Sequence, residues 1–181
     1  THEMSGQIVL NNTKGLQFIG NTIQHMDSCG IHVYNGTRDT LIQGNTFFDL
    51  TGAAVLSGHW VETSIPNQEI CTNTIVANNV IRNTGTDFMA ATAIDNLGHY
   101  GFQVLHNDVA DSQYMGIHQR IYAPNLKAAA GQGGSVISFN RVSLANVGQR
   151  YASRMALTYT LMVSGPTVSS KATTSTISTA P

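Results

Sequence analysis

Residues 1–147 of the 181 are expected to wind as an all-β solenoid of about five coils, each carrying three short strands separated by tight bends. A short pattern recurs along the chain: "FIGNTI" at 18–23, "IQGNTF" at 42–47, "VANNVI" at 76–81, "VLHNDV" at 104–109 and "ISFNRV" at 137–142. The apolar residues around each copy keep a fixed distance from one asparagine. No stretch shows the 3.6-residue period of a helix.

The elements follow from that asparagine in order. The aligned positions are Asn21, Asn45, Asn79, Asn107 and Asn140. Three residues before them stand Phe18, Ile42, Val76, Val104 and Ile137, the inward position of one strand. Two residues after them stand Ile23, Phe47, Ile81, Val109 and Val142, the inward position of the next. A third inward stripe follows ten residues after Asn21, Asn45 and Asn107, at Ile31, Val55 and Ile117. In the third repeat Ile94 takes this place if about five extra residues enter at "TGTDFM". One such unit cannot bury its own apolar edge, so successive units must stack about 4.8 Å apart. An asparagine amid apolar neighbours is costly unless its amide is hydrogen-bonded. Stacking answers this by setting each amide against those of the coils above and below, as a ladder.

Composition narrows the function classes. Only 10% of residues are charged, against roughly 25% in an ordinary globular protein. The net charge of -1 leaves no basic footprint for nucleic acid, so no nucleic-acid partner is expected. The apolar runs are far too short to cross a bilayer, and no membrane partner is expected either. The chain opens at Thr1 without a charged-then-apolar leader, as a secreted mature chain or an internal fragment would. Cys29 and Cys71 have no metal-ligand spacing and are read as buried free thiols.

These motifs resemble the right-handed parallel β-helix superfamily with the pectin-lyase-like fold, over roughly residues 8 to 147. The resemblance implies a right-handed parallel β-helix with an asparagine ladder. It extends to β-helix proteins of carbohydrate-active clusters, in the order of a coil like "NTGTDFMAATAI" before one like "QYMGIHQR". It also implies an extracellular or periplasmic location, and that the sheet carrying the third stripe floors a polysaccharide groove.

A site is therefore expected on that sheet. One residue past its inward positions lies the outward column His32, Leu56, Asp95 and His118, and two further on come Tyr34, Gly58, Leu97 and Arg120. Insertions beginning "HWVETSIPNQEICTN" and "IYAPNLKAAAGQGG" lengthen one turn and would raise walls beside this face. Trp60 is either a platform for a sugar ring, with His59 and Tyr100 near it, or a loop aromatic covering the coil edge. Tyr34 and Arg120 are substrate-binding candidates or a solvated face.

Chemistry leaves alternatives open. Hydrolysis of a glycosidic bond needs two carboxyl groups about 5 to 9.5 Å apart. Asp95 is the acid of the face, and Glu62 in the adjacent insertion is its candidate partner. A metal-free lyase or epimerase would use His118 or His32 as base, Tyr34 as acid and Arg120 to neutralise a uronate. A calcium-dependent lyase needs clustered acids, and with only Asp95 there, no metal or other cofactor is expected. The column His25, Asp49, Asn83 and Asp111, on another sheet without long loops, is read as solvated surface.

The register stops after residue 147. The position ten past Asn140 is Arg150, and 148–181 carries no ladder asparagine and ends as a Ser/Thr-rich stretch. This segment is expected to be an out-of-register tail. Codons can be chosen for it so that reading two nucleotides along gives "DGADLYPNGLRPNSVIQGNYLHDI", which restores the ladder motif and points to a frameshift near codons 147 to 154 of a longer parent. Uncapped coils expose sheet edges, so edge-to-edge self-association is expected. The leading functional expectation is a polysaccharide-degrading β-helix enzyme, hydrolase before lyase or epimerase. The rival is a non-catalytic, adhesin-like glycan binder.

Overall fold

The computed structural model describes residues 6–59, 65–88, 90–119 and 134–143. Five coils follow one another. The first holds β1 (Gly6–Asn11), β2 (Gln17–Ile19) and β3 (Thr22–Met26), and the second β4 (Cys29–Tyr34), β5 (Arg38–Gln43) and β6 (Thr46–Leu50). The third holds β7 (Val55–Gly58), β8 (Cys71–Ala77) and β9 (Val80–Thr84). The fourth has β10 (Ile94–Leu97), the short β11 (His99–Tyr100), β12 (Gln103–Leu105) and β13 (Asp108–Ser112), and the fifth β14 (Ile117–Gln119), β15 (Val136–Ser138) and β16 (Arg141–Ser143). Equivalent strands pair in parallel to make three sheets. The first runs β1-β4-β7-β10-β14, the second β2-β5-β8-β12-β15 with β11 beside β8, and the third β3-β6-β9-β13-β16. This is the expected parallel β-helix.

Register follows the repeats residue for residue. Phe18, Ile42, Val76, Val104 and Ile137 are paired in turn across the second sheet. Ile23, Phe47, Ile81, Val109 and Val142 do the same across the third. Ile31, Val55, Ile94 and Ile117 complete the core from the first sheet, so the extra residues of the third repeat do enter before Ile94. The middle members of each stripe are fully buried, because only they have a coil on both sides.

The asparagines form the ladder. Asn45 N–H and Nδ2 donate to Asn79 Oδ1 at 2.9 and 3.0 Å, and Asn79 repeats this toward Asn107 at 3.0 and 2.9 Å. From Asn45 on, each Nδ2 also reaches back to the preceding coil, as Asn79 does to the Ile42 carbonyl at 3.0 Å. Two donor hydrogens and one carbonyl per residue are thereby satisfied in the interior, which removes the desolvation cost. The residue just before each ladder asparagine has positive φ: Gly20 (68°), Gly44 (65°), Asn78 (54°), His106 (54°) and Phe139 (58°). That bend aims the amide inward. Glycine and asparagine suit it, whereas a bulky residue there is strained.

Cys29 and Cys71 are buried free thiols, as expected. Burial pushes both up to about 11, by desolvation of the thiolate. Residues 148–181, with the proposed frameshift, lie outside the described residues.

Candidate functional site

The outward column of the first sheet forms as the repeats require. His32 pairs with Leu56, Leu56 with Asp95, and Asp95 with His118. Side chains of a strand alternate between faces, so each stands one residue from an inward neighbour. His118 Nδ1–H donates to Asp95 Oδ1 at 2.9 Å across adjacent coils. The carboxylate fixes the ring and its tautomer, which leaves Nε2 as the nitrogen for proton transfer.

This column is not the open floor anticipated from the sequence. His32, Asp95 and His118 are only 4, 7 and 5% exposed. For His32, packing on the outer side of the sheet explains it. Tyr34 lies over His32 with ring centroids 4.7 Å apart, and His59 lies over Tyr34 at 4.3 Å. His32 Nε2–H also donates to the Gly58 carbonyl at 3.1 Å, which holds it against the sheet. Leu56 and Leu97 gather with Cys29 and Ala53 into a small apolar cluster of their own. The candidates thus divide. His32, Tyr34 and His59 form one cluster of tilted rings, and Asp95 and His118 form a bonded pair two coils along. Glu62, Trp60 and Arg120 lie outside the described residues. Among the described residues, no three His, Cys, Asp or Glu side chains gather as a metal site.

One grouping escaped the sequence reading, and another was read only as solvated surface. Ser57 Oγ and His99 Nδ1 meet at 2.6 Å on the inner side, both fully buried. Burial lowers the His99 pKa to about 3, and the Thr72 carbonyl opposes this in part. A serine beside a neutral imidazole has the makings of a nucleophile and base, but here no solvent reaches either, and the pair ties β7 to the corner at β11. The parity of Ser57, two residues past inward Val55, was its signal.

The second grouping is the column read as solvated surface. His25, Asp49, Asn83 and Asp111 all sit at bends with φ between 53° and 57°. His25 Nδ1–H donates to Asp49 Oδ2 at 2.8 Å, and Asn83 Nδ2 donates to Asp49 Oδ1 at 2.8 Å. The side chains of His25 and Asp49 stay in water, and His25, Asp49 and Asn83 are also joined as a second, outer ladder. Asp and Asn favour left-handed bends, which explains the choice of residues without any ligand.

Among known proteins, the family described as a right handed beta helix region matches residues 6–143. No curated protein and no solved structure matches.

Proposed function

The chain belongs to the right-handed β-helix family, and from that premise we propose that it is a carbohydrate-active protein that cleaves an extended polysaccharide lying along the first sheet. The observation that supports this is the Asp95–His118 pair, at 2.9 Å in the outward column of that sheet. A histidine oriented by a carboxylate is an acid–base group. Both hydrolysis and elimination at a glycosidic bond need one. In hydrolysis the pair serves the leaving oxygen or the attacking water, and a second carboxyl group is required; Glu62 is the candidate by sequence. In elimination Nε2 takes the proton beside a uronate, and Arg120 is the candidate for its carboxylate. Tyr34, the half-buried member of the His32–Tyr34–His59 cluster, offers an apolar face with a polar edge, the surface chemistry that sugars accept. Such a role places the protein outside the cytoplasm, in the extracellular or periplasmic space.

A second reading, a non-catalytic glycan binder, is favoured by the burial of the same column. One experiment separates them. The protein is offered a panel of polysaccharides while reducing ends and the absorbance of unsaturated products are both followed. Reducing ends alone mean hydrolysis, and unsaturated products mean elimination. Activity lost in Asp95→Asn and His118→Gln supports the pair; binding without products supports the second reading.

A further inference from the structure

We propose that a separate glycan-binding surface lies at the corner where the third sheet turns toward the first, and that it takes a neutral polysaccharide. It stands on two phenylalanines left in water, Phe48 at 43% and Phe88 at 45% exposure. Phe48 follows inward Phe47, so alternation along β6 turns it outward. Phe88 comes from the extra residues of the third repeat, "TGTDFM", which fold back on the second coil. There the Thr86 and Phe88 N–H groups donate to the Leu50 and Thr51 carbonyls at 3.3 and 3.0 Å. Thr51 is three residues past Phe48, which sets the two phenylalanines about 10 Å apart along one coil.

Asp49 lies between them in the chain, so the outer ladder crosses the gap. His25 uses Nδ1 on Asp49, and Asn83 uses Nδ2. His25 Nε2 and the Asn83 side-chain carbonyl have no partner among the described residues and remain open to a ligand. The His25 ring stands at 84° to Phe48 with centroids 6.0 Å apart, which braces the platform. Gln24 and Arg82 flank Phe48 in register on the neighbouring coils. Left-handed bends account for the Asp and Asn here; they do not account for two large apolar rings beside them. Apolar ring faces set among hydrogen-bonding groups suit a sugar, which carries an apolar face and hydroxyls together. A protein partner needs a continuous apolar centre instead. Charge decides the class of glycan. The charges nearest Phe48 are paired with one another, His25 with Asp49 and Arg82 with Asp108 at 2.7 Å. Exposed Asp87, next to Phe88, would repel a uronate.

Native electrophoresis in gels cast with galactomannan, hydroxyethylcellulose or xylan tests this, with polygalacturonate as the acidic control. At least one neutral glycan should slow the native chain. Phe48→Ala and Phe88→Ala should each weaken that binding at least about threefold. Phe139→Ala, which removes an exposed ring at another corner, should bind as the native chain does. A native chain that no neutral glycan slows overturns the proposal, and that result depends on no variant. Retardation undiminished in either Phe48→Ala or Phe88→Ala places the glycan elsewhere and overturns it too. An equal loss in Phe139→Ala reduces the binding to unspecific sticking, and polygalacturonate held through Phe48 refutes the neutral class; the proposal falls with either. Both rings are exposed, so thermal midpoints should stay at the native value. If Phe48→Ala loses its fold, Phe88→Ala in the insertion decides alone. Cleavage at the first sheet is judged by products and this surface by retardation, so either reading can fail without the other.

Discussion

Asp95 and His118 are register partners on adjacent coils, joined by a 2.9 Å hydrogen bond in a column that solvent barely reaches. Removing the carboxylate strands the His118 Nδ1–H. Asp95→Ala is expected to destabilise the fold by about 1–3 kcal/mol, the cost of a buried polar group left unpaired. His118→Gln, which keeps a donor near the carboxylate, should lose less. Urea denaturation of the three proteins checks the order, and equal midpoints would mean the pair is structurally idle.

Position along the ladder sets the cost of breaking it. Asn79→Ala strands the Asn45 N–H and one of its Nδ2 hydrogens, and takes the side-chain donor from the Ile42 and Asn107 carbonyls, in a dry interior. A loss of at least about 2 kcal/mol is expected. Asn21→Ala, at an exposed end, should lose no more than about 1 kcal/mol. Denaturant midpoints that rank these two in reverse would contradict the ladder as a stabilising device.

The bends differ in the same way. Gly44 has φ 65° and open space where a Cβ would stand, so Gly44→Ala carries only backbone strain, about 1–2 kcal/mol. Gly36, at φ 74°, would drive its Cβ into the Gln68 carbonyl. Gly36→Ala should therefore lose clearly more than Gly44→Ala in thermal unfolding.

Acid should weaken the fold through His99. Its pKa in the folded chain is lowered to about 3 by burial, against about 6.5 when unfolded. The unfolded chain thus binds the extra proton first, so this contribution is whole above about pH 6.5 and lost as pH falls toward 3. The expected slope approaches about 1 kcal/mol per pH unit in that window. His99→Phe should flatten the slope in denaturant titrations at pH 7 and pH 4.

Both thiols, raised to about 11, should resist an aromatic disulfide reagent at pH 8 while the protein is folded and react together once it unfolds. Rapid labelling of either in the native state would show local opening at β4 or β8.

The ladder was legible in the sequence because one residue type at one corner, keyed to three apolar stripes, admits a single stacking. From that register alone Asp95 and His118 could be set side by side. Their burial could not be foreseen. Alternation tells which way a side chain points, not what settles on top of it, and here the rings of Tyr34 and His59 cover His32. The outer ladder through Asp49 was missed because His, Asp, Asn and Asp share no type, only a left-handed bend that composition does not display. Ser57 and His99 meet across a corner whose path no repeat specifies.

Ladder partners lie 24, 34, 28 and 33 residues apart. Closing a loop of 34 residues instead of 24 costs only about 0.3 kcal/mol more in chain entropy. No coil therefore has a head start as nucleus, and assembly can begin at any adjacent pair and zip outward in both directions. The corners that carry the longest excursions should slow this progress very little.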